Sequence, residues 1–320
     1  MRELKEYYSG NSGKAFFLTC IGKRFAKVVK KIFLPFFLNY CKKHDIGLII
    51  VEDYIDKNSF SYPNLKDPGI QRLLAPKEIL KKFKKYKYLC DIDTDCLPGF
   101  LAEDIFKYAS NKIKKNQIFV VKPYPEGYLK KNLGKRVSLL RKTYIDKSYP
   151  LDSLFIASDD EEGKLLKYRF EGPWPTIGTC IGRTDTLAKT GSKIYSEIKK
   201  DKNFKYLQSF RIDYYKKNLN IKWLKYEFQA IWNYEVALNY PFLFHKKFKK
   251  LYKDCVIATL FRVQFLHFAG SWPENWIFNK TKFKQSNLLI KYYKNLESYL
   301  LQNTKAKLYG KINYKRKIPS

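Results

Sequence analysis

The stretch Tyr86-Lys87-Tyr88-Leu89-Cys90-Asp91-Ile92-Asp93-Thr94-Asp95-Cys96-Leu97-Pro98 decides how this chain is read. An apolar run rich in aromatic residues ends in three carboxylates, Asp91, Asp93 and Asp95. Side chains alternate faces along a strand, so a spacing of two puts all three on one side. Like charges held that close repel and weaken a fold unless a cation sits among them. An all-oxygen ligand set favours a hard divalent ion such as Mg²⁺ or Mn²⁺, and at the end of a buried strand such an ion suits a phosphate-bearing ligand. The competing reading is a solvated acidic turn after a strand.

The flanking sequence supplies a frame. Ala15–Ile21 is a short apolar run ending at Gly22 and predicts a buried first strand. Arg24–Lys43 has helical apolar spacing, with Pro35 expected to kink it or reset its start. Ile46–Val51 predicts a second buried strand, so strand, helix and strand form a βαβ unit with parallel pairing. Ligands bind such sheets at the carboxyl ends of the strands, which points to Thr19–Lys23 and Glu52–Tyr54. There is no GxGxxG, which argues against an ordinary dinucleotide fold. Residues 55–69 read as a polar loop, Phe100–Ser110 with its basic extension to Lys115 as a helix, Ile118–Lys122 as a strand and 123–170 as irregular and charged, with Asp159-Asp160-Glu161-Glu162 a solvated loop or helix start. Thr176–Arg183 reads as a strand whose Gly178 and Gly182 permit close backbone approach.

With these residues in view, the acidic segment resembles the DxD element of GT-A glycosyltransferases, in which a strand delivers two aspartates to a metal that bridges the diphosphate of a nucleotide-sugar. The approach, Gly69–Pro76, a helical run to Lys82 and then Tyr86, is similar to that of glycosyltransferase family 8, the glycogenin-like and bacterial lipooligosaccharide galactosyltransferase group. Aligning Tyr86 with the family's aromatic makes Asp93 and Asp95 the pair; the register Asp91 and Asp93 stays open. Gln264-Phe265-Leu266-His267-Phe268-Ala269-Gly270-Ser271-Trp272-Pro273 resembles the family's His-x-x-Gly segment. The resemblance implies that His267 is the third metal ligand and that Gly270 lets the backbone approach the phosphates. The lysine expected after it is absent, so another cation, Arg72 or Lys23, must hold the diphosphate. Asp213 is placed at the opening of a helix running toward Asn220, with Leu219-Asn220 and Trp232-Asn233 following in the family's order; Tyr214 stands where glutamine is usual. Thr19, Cys20, Ile21, Lys23, Arg72, Asp93, Thr94, Gly178 and Gly270 form the implied donor-binding set. Asp213, Asp185 and Gln229 are the candidate catalytic residues. Similarity to family 8 favours retention; an inverting enzyme needs a carboxylate base, and Asp185 or Asp213 could serve.

Composition bounds the partners. The 320 residues carry a formal charge of +33 with 45% hydrophobic content, enough for one large domain or a domain plus an appendage. Such a charge raises nucleic-acid binding first. Lysine dominates over arginine, however, and abundant Lys, Asn, Ile, Tyr and Phe match an AT-biased genome; both weigh against a nucleic-acid partner. An anionic membrane surface is the alternative, at roughly 1 kcal/mol per nearby Lys or Arg. The six cysteines are scattered without CxxC spacing and read as buried free thiols of a reducing cytosol. The polar N-terminus predicts no signal peptide, and no run of about 18 apolar residues spans a membrane.

The expectation is therefore an α/β GT-A domain with a mixed, mainly parallel sheet over residues 1–278, with a nucleotide-sugar half at about 14–122 and an acceptor half at about 123–278. A basic, helical extension over 279–320 follows, in which Leu288–Gln302 is amphipathic and resembles tails that hold bacterial family members on the inner membrane. The implied reaction is Mn²⁺- or Mg²⁺-dependent transfer from a nucleotide-sugar to a glycan or glycolipid hydroxyl, in the cytoplasm or peripherally on the inner membrane. A metal-dependent nucleotidyltransferase or nuclease, and a non-catalytic nucleic-acid or membrane-binding protein, are the competing classes.

Overall fold

The computed structural model describes residues 3–109, 113–128, 133, 135–137, 139–140, 176–201, 204 and 207–269. Most of 129–175, including 159–162, lies outside them, as do Gly270 and the expected extension at 279–320.

The frame is a seven-stranded mixed sheet flanked by helices. Its strands are β1 (Leu4–Tyr8), β2 (Lys14–Thr19), β3 (Gly47–Val51), β4 (Tyr88–Ile92), β6 (Gln117–Val121), β7 (Thr176–Arg183) and β8 (Asn220–Leu224), in the order β1-β3-β2-β4-β7-β6-β8. β2, β3 and β4 run parallel, as do β6 and β8, while β7 lies antiparallel between β4 and β6, and β1 antiparallel on β3. The apolar runs are continuous because both faces are buried. Alternate residues feed two cores: Phe16, Leu18, Leu48, Ile50, Cys90 and Ile92 join one, while Ala15, Phe17, Ile49, Val51 and Leu89 join the other.

Several expectations shift in detail. The first strand ends at Thr19 rather than Ile21, and the N-terminal strand β1 was not foreseen, its polar side chains marking it as a sheet edge. The helix expected over Arg24–Lys43 is three pieces: Lys23–Val28, a π-helical turn Val29–Phe33, and Leu34–His44. Pro35 has no N–H for the ladder, and the wider turn just before it lets the Leu34 N–H bond to the Val29 carbonyl instead. The loop at 55–69 holds 3₁₀ turns capped by Asp56 and Asp67. Of the helix expected at Phe100–Ser110, only Ile105–Tyr108 is helical among the described residues, its start fixed by the Asp104 side chain accepting from the Phe106 N–H. Asp213 does not open a helix; it lies within Leu207–Asn218.

A second, three-stranded sheet was not anticipated: β5 (Cys96–Pro98), β9 (Ala230–Ile231) and β10 (Phe265–His267), in the order β5-β10-β9. β10 pairs antiparallel with β5, placing His267 opposite Cys96, and parallel with β9, placing it beside Ile231. Phe16 of β2 ties this small sheet to the large one. Its ring packs on Phe37, Tyr40, Phe106 and Phe265 at centroid distances of 6.1, 5.5, 6.0 and 6.0 Å. Among the described residues no helix is long and apolar enough to cross a membrane.

Candidate active site

The site forms where β4 ends. Ile92 is the last residue of β4, and the Asp93 N–H continues the pairing with β7 by donating to the Gly178 carbonyl at 2.7 Å. The chain then turns through Thr94 and Asp95 into β5, and the Phe268 N–H donates to the Asp95 carbonyl at 3.0 Å. These backbone bonds fix both carboxylates against β10. Asp95 Oδ1 lies 3.3 Å and Asp93 Oδ2 3.5 Å from His267 Nε2. Gly178 is required here: a Cβ at that position would collide with Asp93 Oδ2 and with the Gln229 amide nitrogen.

The three aspartates do not act alike. Asp91, inside β4 and 2% exposed, is taken by two arginines. Arg72 Nη2 reaches Asp91 Oδ1 at 2.7 Å, and Arg211 Nη2 reaches Oδ2 at 2.8 Å. Arg72 also reaches forward, its Nη1 to Asp93 Oδ1 at 2.8 Å. The repulsion read from the sequence is thus relieved on the strand by guanidinium groups, while Asp93 and Asp95 are the two of the three that face His267. Arg72 holds one oxygen of Asp93, and the other faces the imidazole. Burial works against the Asp93 carboxylate, but Arg72 and His267 outweigh it and hold its pKa below the usual range.

His267 is buried and its ring is held from behind by Gln229, whose amide nitrogen lies 3.1 Å from Nδ1. Gln229 Oε1 has no hydrogen-bond partner among the described residues. A turned amide would present that oxygen to an Nδ1–H and leave the Nε2 lone pair free on the side of the carboxylates. Asp95, Cys96 and His267 each offer a ligand atom within 4.8 Å of the others, a grouping that could hold a metal ion, and Asp93 Oδ2 faces the same imidazole at 3.5 Å. With no metal bound, burial raises the pKa of the Cys96 thiol well above its ordinary value.

The cluster opens on a pocket of about 380 Å³ whose lining joins Thr19, Gly69 and Arg72 to Ile92–Asp95, His267 and Ala269. It sits beyond the carboxyl ends of β2 and β4, where the parallel strands direct a ligand. Thr19 Oγ1 is buried without a partner among the described residues. Of the other residues expected here, Cys20 is buried with its thiol pushed up to about 12 by desolvation, Ile21 is half-buried and Lys23 is exposed. Gly270 lies outside the described residues. Asp185 and Asp213 are not brought to the pocket. Asp185 follows Arg183, which pairs with Tyr88 at the opposite end of β4, and it is held by the Arg183 guanidinium at 3.0 Å. Asp213 pairs with Lys217 at 2.7 Å and lies two residues, about 200° of helical turn, from Arg211, whose side chain points to Asp91. Arg211 was missed by sequence reasoning; an arginine amid helical lysines was its only signal.

The pairing of His267 has a consequence for pH. Burial pulls its pKa down, but Asp95 and Asp93 more than offset this and raise it above the ordinary value. A raised histidine pKa adds stability in full below the unfolded value of about 6.5, lost as pH rises through the folded value. In EDTA, the melting temperature of the wild type should fall relative to His267→Ala as pH climbs from about 6 through that value. Parallel profiles for the two proteins would show that the imidazolium–carboxylate pairing is absent.

No protein-family model matches the chain, and no curated protein matches it. Solved structures do resemble it. A glycosyltransferase involved in glycosylation of the major capsid of PBCV-1 aligns at 9% identity and a TM-score of 0.46, covering 88% of this chain and 98% of that one. The bifunctional glycosyltransferase WbbM aligns at 11% identity and 0.46, covering 88% of this chain and 52% of its own. The galactosyltransferase LgtC, solved with donor and acceptor sugar analogues, aligns at 11% identity and 0.45, covering 85% and 94%.

Proposed function

We propose that this chain is a metal-dependent glycosyltransferase that moves a sugar from a nucleotide-sugar, with a UDP-sugar the first candidate, to a hydroxyl of a surface glycan or glycolipid. The observation that carries this reading is the convergence of Asp93, Asp95 and His267, from segments far apart in sequence, on one pocket at the carboxyl end of β4. Asp93, Asp95 and His267 would hold Mn²⁺ or Mg²⁺, which when bound supplies Lewis-acid neutralisation of a leaving diphosphate. Arg72, fixed by Asp91 and Asp93, places a preorganised cation on the same wall and takes the part of the lysine missing after His267. Thr19 offers a hydroxyl to the ligand, and Gln229 orients His267.

Retention of configuration suits this site better than inversion. Asp185 and Asp213, the carboxylates considered as bases, lie away from the pocket, and among the described residues the carboxylates lining it are Asp93 and Asp95. A two-metal nuclease needs further carboxylate ligands, and Asp91 is committed to Arg72 and Arg211.

The test is a thermal-shift and hydrolysis screen of nucleotide-sugars with and without Mn²⁺. One or more should stabilise the protein only with metal and release free nucleoside diphosphate. Failure of every nucleotide-sugar, together with metal-dependent cleavage of a polynucleotide, would replace the reading with the nuclease one.

A further inference from the structure

Asp185 and Tyr214, which the pocket at β4 does not use, meet at a second concavity. It lies at the other end of the sheet, some five residues or ~16 Å of strand from Asp93, since Arg183 pairs with Tyr88 whereas Thr179 pairs with Ile92. The cleft, about 610 Å³, is bounded by the turn before β6, the first half of the helix Thr184–Lys200 and the end of the helix Leu207–Asn218. Its volume falls in the range of small-molecule sites.

We infer that this cleft binds a phosphate-bearing anion through Lys115, Lys189 and Lys193. Three observations lead there. The three lysines line one concavity from two separate segments and make no ion pair among the described residues. Lys189 and Lys193 stand four apart on one helical face, in a row that Asp185 and Glu197 flank, so both ammonium groups lie on the same side of the helix. The single carboxylate of the lining, Asp185, does not neutralise them. Both its oxygens are taken by Arg183, at 3.1 Å from Nε and 3.0 Å from Nη2, and it also accepts from the Thr186 N–H at 2.7 Å. The three lysines are exposed at the cleft, and with Asp185 taken by Arg183 their charges outnumber the nearby carboxylates, Glu197 close to Tyr214 being the other, so the cleft presents a net positive field to whatever enters. Lysine serves phosphate as a point charge with freely turning donors, and the Tyr214 ring and Leu219 supply an apolar flank. The phosphate can belong to a soluble molecule or to a lipid headgroup at an anionic membrane. The inference does not depend on glycosyl transfer.

The experiment titrates inorganic pyrophosphate into the full chain by calorimetry in EDTA, so that the acidic site cannot recruit it through a metal. The Lys189→Gln/Lys193→Gln protein is compared with wild type and with Lys77→Gln/Lys84→Gln, which removes the same charge from exposed positions elsewhere. The cleft pair should weaken pyrophosphate binding at least tenfold and the control pair less than threefold. Lys115→Gln serves as a second variant if the pair disturbs folding by circular dichroism, and should also lose more affinity than the control. Flotation with phosphatidylglycerol vesicles then separates the sources. Weaker flotation of the cleft variant than of the control assigns a headgroup, and equal flotation with the calorimetric loss intact assigns a soluble phosphate. Pyrophosphate affinity that falls equally in the cleft and control proteins, or no measurable binding by wild type, overturns the inference.

Discussion

Asp95→Ala should remove metal-dependent turnover by on the order of 10²–10³-fold or more, in the range seen when one preorganised stabilising group is deleted from a site of developing charge, while leaving the fold in place. The reason lies in how Asp95 is attached. Its carbonyl, not its side chain, holds the Phe268 N–H, so β10 stays docked when the carboxylate is cut away. The side chain is only partly buried and faces His267 Nε2 at 3.3 Å. Asp93→Ala should lose as much activity and, in addition, release Arg72, whose Nη1 it holds at 2.8 Å. The measurements are Mn²⁺ affinity by calorimetry, rate with Mn²⁺ against EDTA, and the melting profile. Full turnover by Asp95→Ala, or an unchanged Mn²⁺ titration, would remove this carboxylate from the metal site.

Asp91→Ala should behave in the opposite way, as a folding defect. Asp91 is buried between two guanidinium groups, at 2.7 Å from Arg72 and 2.8 Å from Arg211. Arg211 is itself only 3% exposed and has a second nitrogen, Nη1, already without a partner among the described residues. Removing one partner of a buried ion pair leaves an uncompensated charge in low dielectric and costs about 3–5 kcal/mol. That is a large part of the ~5–15 kcal/mol that holds a typical protein folded. Urea unfolding of Asp91→Ala against wild type measures it. A loss under about 1 kcal/mol with activity abolished would mean that Asp91 serves the ligand directly, and that the acidic pair is Asp91 and Asp93 after all.

These two expected outcomes separate carboxylates that look equivalent in sequence. Spacing of two said only that the three share a side; the end of β4 after Ile92 decides that Asp91 is strand and that Asp93 and Asp95 are turn. The division also rests on Arg211, brought across from a helix 120 residues further on. No local pattern records such an approach, because it depends on how the helix Leu207–Asn218 packs on the sheet.

What the amino-acid sequence determined by itself was the frame and the chemistry of its end. Apolar runs at Ala15–Leu18 and Gly47–Val51, and at Leu89–Ile92 apart from Asp91, fit strands buried on both faces, bounded as they are by turn residues. Asp93 and Asp95 were singled out by their spacing, and His267 and Arg72 by the resemblance of their segments to a known motif set; the fold brings all four to one pocket. The tertiary structure alone decided which of the carboxylates meet. Asp185 and Asp213 stood at plausible spacings, yet strand direction carries Asp185 to the far edge and helical phase turns Asp213 away from Asp91. The small sheet β5-β10-β9 was likewise invisible, because two or three residues per strand give no periodicity to read. Its pairing of His267 with Cys96 is nonetheless what closes the site, since the register of β10 on β5 sets the imidazole beside Asp95.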